Sequence, residues 1–398
     1  MRYIYIILFI LILIFGFVFF FNDDDGFVLD IAGMSYSDVL NYCDVNDLKC
    51  NVNYEYSKLP KDSIISQSIS NGSVINNGSV LDVVVSLGVN IDLYKSHGVN
   101  ELGRVPIMMY HGIHNLSNDD TTYIGGNVDR DGYQRTVEAF RNDLEFYYNS
   151  GYRMIRLIDY VNGIIDVSFG LSPIVLTFDD GLKNNFNVIG VDDAGDLIID
   201  PNSAVGVLEE FKNKYPDYNV TATFFLNGQL FEQEEYNDKI LNWLIDHGYD
   251  IGNHSYNHVD FSKINAQESV LEIKKMYEKL ESIVGNRYVN IVALPFGSPY
   301  KVEHNNFKYI LNADNYSTIS TLRVGWESDY SPFSKDFNKT FLKRIRAYDN
   351  NGKDFDIEYN FKMLENTRYI SDGDSDLIVF PSDVKNLFND YSTNYYCY

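Results

Sequence analysis

Ile174 to Asn185 read "IVLTFDDGLKNN". An apolar run rich in β-branched residues, the pattern of a buried strand, ends at Phe178 and passes directly into Asp179, Asp180 and Gly181. Taken alone, Asp-Asp-Gly after a strand is a turn, because Asp and Gly favour tight turns and exposed corners. The fold therefore depends on what surrounds this strand, and the chemistry on what faces the two acids. Further strand-like runs lie at Val105 to Tyr110, Pro173 to Phe178, Thr221 to Leu226, Tyr249 to Gly252 and Val289 to Leu294. They alternate with helical patterns such as "TVEAFRNDLEFYYNSGY" and "AQESVLEIKKMYEKLESIVG", the second ending at Gly285. Such alternation predicts an α/β fold, a parallel sheet or barrel with helices outside, and gathers functional groups at the carboxyl ends of the strands. The stretch "VIGVDDAGDLIIDPNSAVGVLEEFKNKYPDYN" reads as a surface insertion ahead of its helix.

A partner for the acids is found in "DIGNHSYNHVDF", where His254 and His258 stand four apart. In a helical conformation both rings would project from one side. Two imidazoles and a carboxylate make a facial ligand set that leaves positions for water and substrate. A histidine pair at this spacing also arises by chance on many helices, so the joint occurrence with the Asp pair is the stronger signal.

That combination resembles the polysaccharide deacetylases, the NodB-like domain of carbohydrate esterase family 4, over about Val105 to Asp383. The likeness rests on "TFDDG" (Thr177 to Gly181) and "HSYNH" (His254 to His258), with "LPFG" (Leu294 to Gly297) and "VPIMMYHGI" in support. The resemblance implies a distorted (β/α) barrel of NodB type. It implies that Asp180, His254 and His258 hold a divalent metal, zinc or else cobalt, nickel or manganese, with Asp179 as catalytic base. It further places the backbone N–H of Phe296 at the oxyanion, and Pro295 and Phe296 along the sugar site. The implied reaction removes N-acetyl groups from a cell-surface polysaccharide, of peptidoglycan or poly-N-acetylglucosamine type, by metal-activated water.

Two positions depart from the family pattern. Where the family carries an Arg two residues before the Pro, this chain has Ala293, and the final "LxH" histidine is missing from the candidate strand "DLIVFPSD". Arg344 and Arg346 in "LKRIRA", or His111 in "MMYHGI", are the groups available to enter from elsewhere, and each reads more readily as structural than as catalytic. His111, at a strand end, is the best placed. The departures keep a second reading open, a weak or inactive glycan-binding protein on the same fold.

Composition sets the frame. The 398 residues are 45% hydrophobic and 15% aromatic, enough for a large core and more than one domain. A formal net charge of -24 argues against a nucleic-acid partner, since phosphate binding needs clustered Lys and Arg. From Tyr3 to Phe21 the chain is apolar and uncharged, with Arg2 before it and Asp23, Asp24 and Asp25 after it. This reads as a retained transmembrane helix with the remainder outside the cell, rather than a cleaved signal peptide, because no small-x-small site follows. Phe27 to Gly88 contains a Ser-started helix in "GMSYSDVLNYC", an alternating strand in "CNVNYEYS" and two β-rich runs with Asn-Gly turns. With Gly33, Pro60, "IISQS", Gly72, Gly78 and "VVVSLG", this small α+β segment resembles a PASTA domain. The resemblance implies an extracellular module that either contacts peptidoglycan-like ligand or acts as a spacer, and Tyr54 and Tyr56 share one strand face. Cys43 and Cys50 could pair outside the cell. The expected organisation is an anchor over 1–25, a PASTA-like domain over 26–90, a linker over 91–104 and the NodB-like domain over 105–398.

Overall fold

The structure, a computed structural model, describes residues 26–76, 78–389 and 394–398. The expected membrane helix lies outside the described residues, and among those described no helix is long and apolar enough to cross a membrane. The chain divides into two compact units between Ser96 and His97.

The first unit is the small α+β module. Its helix, Tyr36–Val45, starts at Ser35, whose side chain accepts a hydrogen bond from the Asp38 backbone N–H and so satisfies one of the free donors of the first turn. Val39 and Cys43 on its buried side meet a three-stranded sheet. In that sheet Val80–Ser86 lies between Lys49–Glu55, parallel, and Ile64–Gln67, antiparallel. Cys43 and Cys50 form a disulfide, which ties the helix to the edge strand. Tyr54 and Tyr56 are both exposed on that strand and just beyond it.

The second unit is built on eight parallel strands: β1 (Ile107–Tyr110), β2 (Tyr152–Met154), β3 (Ser172–Phe178), β4 (Thr223–Leu226), β5 (Asp250–Asn253), β6 (Ile291–Ala293), β7 (Ser320–Leu322) and β8 (Ile345–Arg346). They run in the order β7-β6-β5-β4-β3-β1-β8, with β2 beside the first half of β3. The two ends of this sheet are joined by the segment that leads into β8. Leu342 donates to the Thr321 carbonyl at 2.7 Å, and Arg323 to the Leu342 carbonyl at 3.1 Å, before the chain goes on to pair with β1. The result is a curled, distorted barrel.

Residues of β1, β3, β4 and β5 are buried on both faces, which is why these strands read as unbroken apolar runs. Alternation within them still sorts the side chains. Ile174, Leu176 and Phe178 of β3 pack outward, against Phe140, Leu144 and Leu208 of the surrounding helices. Val175 joins Ile107, Phe225, Ile291 and Leu342 in a second cluster. The period of two therefore turns Val175, Thr177 and Asp179 away from the helices. Phe178 stacks on Phe224 at 4.9 Å and on Tyr110 at 5.3 Å, and truncating it to Ala would cost about 3–5 kcal/mol.

The helix Ala266–Val284 closes with a reciprocal cap between Asn265 and Glu268 and ends at Gly285 with φ 62°. Three local expectations change. The predicted linker is not free along its length: Asn100, Glu101 and Arg104 donate backbone hydrogen bonds to Ile370, Val379 and Thr367, so 98–104 belong to the barrel unit. The insertion is an exposed two-stranded hairpin, Val188–Val191 with Leu197–Ile199. "DLIVFPSD" is not a barrel strand at all; Ile378–Phe380 pairs with Tyr395–Cys397 in a separate sheet. Barrel position is decided by which edge a segment can pair with, and hydrophobicity alone does not specify that.

Candidate active site

The carboxyl ends of β3 and β5 bring the motif residues together. Asp179 donates its backbone N–H to the Tyr110 carbonyl at 2.9 Å, the last rung of the β3–β1 ladder. The chain then turns sharply: Asp180 has φ 78° and Gly181 φ 63°. A Cβ on Gly181 would lie 2.4 Å from the Leu230 carbonyl oxygen, so only glycine fits this approach. His254 follows β5 and donates its backbone N–H to Leu226 at 2.9 Å. Contrary to the expected helical turn, residues 254–258 form an irregular loop, with Ser255 and His258 at φ 56° and 52°. Left-handed backbone at non-glycine residues is costly and is concentrated at functional sites. Here it brings the His258 ring back beside His254, with ring centroids 4.9 Å apart.

Both histidines point Nε2 at one carboxylate oxygen. His254 Nε2 and His258 Nε2 each lie 3.2 Å from Asp180 Oδ1. His254 Nδ1 lies 2.8 Å from the Ala293 carbonyl, so Nδ1 carries the proton and the Nε2 lone pair faces the acid. Asp180 Oδ1 is buried yet makes no hydrogen bond. One potential ligand atom from each of the three residues lies within 4.8 Å of the others, and among the described residues no other group of three or more acids, His or Cys does this. An orphaned buried carboxylate oxygen facing two imidazole nitrogens, that of His254 by its lone pair, suits a divalent cation with nitrogen and oxygen ligands. With Nε2 protonated instead, burial would still work against ionised Asp180, but hydrogen bonds and charge from His254 and His258 would outweigh it and hold its pKa far below the usual carboxylate range. Burial likewise opposes a charged His254 ring, and the Asp179 and Asp180 carboxylates overcome this and raise its pKa.

Asp179 is buried, and its two oxygens accept a paired fork from Arg344. Nη1 donates to Oδ1 and Nη2 to Oδ2, each at 2.7 Å. The Arg344 side chain is fully buried and also donates from Nε to the Arg323 carbonyl at 2.9 Å. Burial of Asp179 would raise its pKa; the Arg344 charge reverses that and lowers it. Arg344 thus supplies, from just before β8, the cation that Ala293 cannot. Gly325 makes room for this, since a Cβ there would sit 1.6 Å from the Arg344 carbonyl oxygen. The signal in the sequence was the alternation of charged and apolar residues in "LKRIRA", which fits a strand with one charged face.

His111 immediately follows β1 and lies beside Asp179 across the β1–β3 pair. Its Nδ1 is buried without a partner. Burial lowers its pKa, and the charges acting on it are those of Asp179, Asp180, Arg344 and His254, so it borders the same centre. Pro295 is buried, whereas Phe296, at φ 58°, is 55% exposed with its ring 4.7 Å from that of His258. Arg346 does not reach Asp179; its guanidinium lies over Tyr348 at 3.9 Å and Tyr133 at 5.0 Å.

Comparison with known proteins matches residues 168–318 to the polysaccharide deacetylase family and residues 27–87 to the PASTA domain. The chain joins a PASTA domain to a polysaccharide deacetylase domain. The stretch matched within the deacetylase domain contains Asp179, Asp180, both histidines and the Pro295–Gly297 turn, and leaves out His111 and Arg344. A peptidoglycan-N-acetylglucosamine deacetylase of Bacillus cereus is 32% identical over 117 residues, 29% of this chain and 34% of that protein. The uncharacterized protein YlxY of Bacillus subtilis is 35% identical over 68 residues, 17% of this chain and 20% of that one. The chain thus matches a third or less of the length of these curated relatives. Among solved structures, the Streptococcus pyogenes deacetylase PplD in complex with acetate has 18% identity and a TM-score of 0.46, covering 62% of this chain and 93% of its own.

Proposed function

We propose that the protein is a membrane-anchored extracellular hydrolase that removes N-acetyl groups from a cell-surface polysaccharide, using a divalent metal, zinc in the first instance, held by Asp180, His254 and His258. One observation carries this reading: the three ligand atoms converge at the mouth of the barrel directly beside a buried Asp that is held ionised by a paired Arg. A bound divalent ion would acidify water and polarise the acetyl carbonyl.

The chain's own groups supply the rest. Asp179, ionised and fixed in orientation, accepts the proton of the attacking water. Phe296 presents an exposed aromatic face beside His258, suited to stacking on a pyranose ring, and its own backbone N–H is the donor for the developing oxyanion. His111, which borders the same centre, supplies a proton to the departing nitrogen. The net reaction consumes one water and releases acetate and a free amine. Two departures had kept a non-catalytic glycan binder in contention, the missing Arg and the missing His. Arg344 pairs with Asp179 and His111 borders the same centre, which supports the enzyme reading. The Cys43–Cys50 disulfide supports an oxidising, extracytoplasmic location, as does the apolar run Tyr3 to Phe21.

The test measures metal content and acetate release from N-acetylglucosamine oligomers for the full-length protein and Asp179→Asn. The variant is expected to keep its metal and lose acetate release. Undiminished release would remove Asp179 from the mechanism, and metal binding with no release by the unmodified protein would favour the glycan binder.

A further inference from the structure

The outer wall of the barrel mouth holds a cation that the reaction does not use. Arg344 and Arg346 are two residues apart on one strand, and the side chain between them, Ile345, packs outward into the helix-facing core. Both arginines therefore face away from the helices. Arg344 reaches Asp179, so Arg346 lies one step further out toward solvent on the same face. Tyr133 connects it to the site: its ring meets Arg346 at 5.0 Å and His111 at 5.0 Å. Tyr348 covers the guanidinium from another direction at 3.9 Å.

The cations closest to the Asp179–Arg344 pair are matched. Arg323 and Lys343 pair with Glu327 at 2.7 and 3.1 Å, Arg104 with Glu327 at 3.3 Å, Arg135 with Asp143 and Asp349, and Arg344 with Asp179. Arg346 pairs with no carboxylate among the described residues, in a chain with 56 acids and 32 Lys and Arg, and neither does Arg130 beside it on the same cavity. It lines a cavity of about 320 Å³ together with Arg130 and Tyr123. Three acids share that cavity: Asp349 is paired with Arg135 at 3.1 Å, Asp354 accepts a hydrogen bond from the Asn350 amide at 2.7 Å, and Asp131 sits next to Arg130 on the exposed rim.

A guanidinium flanked by two rings has lost part of its hydration and presents its N–H edge as a rigid fork. That edge matches a planar carboxylate in a paired arrangement. We infer that Arg346 receives a carboxylate on the sugar next to the one being deacetylated, so that the preferred substrate is an N-acetylated glycan bearing carboxylates, as a lactyl ether or a uronate, rather than a neutral polymer. The inference rests on the deacetylase reading and specifies its substrate.

The test compares acetate release by the full-length protein from four N-acetylated oligomers of equal length: neutral, lactyl-bearing, uronate-bearing, and the lactyl oligomer with its carboxylate converted to a carboxamide. A carboxylate form is expected to exceed the carboxamide about 10- to 100-fold in kcat/KM, mainly through KM, with the advantage shrinking in high salt. Arg346→Gln is expected to remove most of that preference, and Arg346→Lys to keep part of it. The lactyl and uronate arms identify which carboxylate is read. Equal KM for carboxylate and carboxamide, or an Arg346→Gln loss of the same size on neutral and anionic oligomers, would overturn the inference. Should no oligomer release acetate, the hydrolase reading fails separately, and calorimetric binding of the same oligomers decides the subsite. Tighter binding of a carboxylate form that Arg346→Gln abolishes would uphold it, and equal binding would end it.

Discussion

The two walls of the site are supplied by the chain in different ways. Asp180, His254 and His258 follow β3 and β5, within the stretch matched to the deacetylase family. Arg344 and His111 come from the β8 and β1 strands outside that stretch, and Arg344 meets Asp179 across 165 residues of sequence. A ligand set demands particular atoms in a particular geometry, so its residues stay in short, readable motifs. The support of a buried base demands only a cation within hydrogen-bonding reach, and any barrel strand with an inward-facing position can provide one.

The largest effect should come from breaking the ligand wall. Asp180→Asn and His254→Ala are expected to lose bound metal and to lower acetate release by on the order of 10⁴-fold, and chelation of the unmodified protein should do the same. Normal activity in a metal-free variant would show that the two walls do not differ in this way. His111→Gln tests the opposite wall. It should keep its metal and lose about 10²- to 10⁴-fold in kcat on an acetamide, with a smaller loss on an O-acetyl ester, whose alkoxide needs less help from an acid. Equal losses on amide and ester would assign His111 a role other than proton donation.

Arg344→Gln should act through stability as well as rate. Leaving Asp179 buried without its partner is expected to cost about 3–5 kcal/mol in chemical denaturation. Arg344 holds the Asp179 pKa down, so its contribution to stability is present above the unfolded carboxylate pKa and is lost as pH falls through the lower folded value. Without Arg344, burial dominates and the acidic limb of the pH–rate profile should move to higher pH. The double variant Asp179→Asn/Arg344→Gln should recover part of the stability and none of the activity.

A further effect, on stability alone, concerns how the Arg344 segment is held. Asp329 is buried and accepts the backbone N–H groups of Tyr330 at 2.8 Å and Lys343 at 3.1 Å. Burial, opposed by those two donors, pushes its pKa up to about 7. The folded state therefore binds this proton more tightly than the unfolded chain, and stability should fall as pH rises from about 4 to about 7. Asp329→Asn should flatten that slope by up to about 1.4 kcal/mol per pH unit. An unchanged slope in thermal or urea melts would mean that Asp329 is not the group responsible.

Much of this could be read before any coordinates. Runs such as Thr221 to Leu226 and Val289 to Leu294 fall on strands because β4 and β6 are buried on both faces and leave an uninterrupted apolar signature. β2, β7 and β8 were not legible, being only two or three residues long, with too few positions to show a period. The helical turn expected for His254 and His258 failed because left-handed residues at Ser255 and His258 reach the same convergence by another route.

The sequence by itself determined the small α+β module, the β/α alternation and which side chains make up the candidate metal site, because periodicity and short motifs act over a few residues and survive without knowledge of neighbours. Only the tertiary structure decided that the barrel closes through residues 340–346, that Arg344 takes up the place left by Ala293, and that Arg346 stands apart from it facing the mouth. Those outcomes depend on which strand edges meet. Strand pairing is a long-range choice made by the whole core, so no local pattern encodes it.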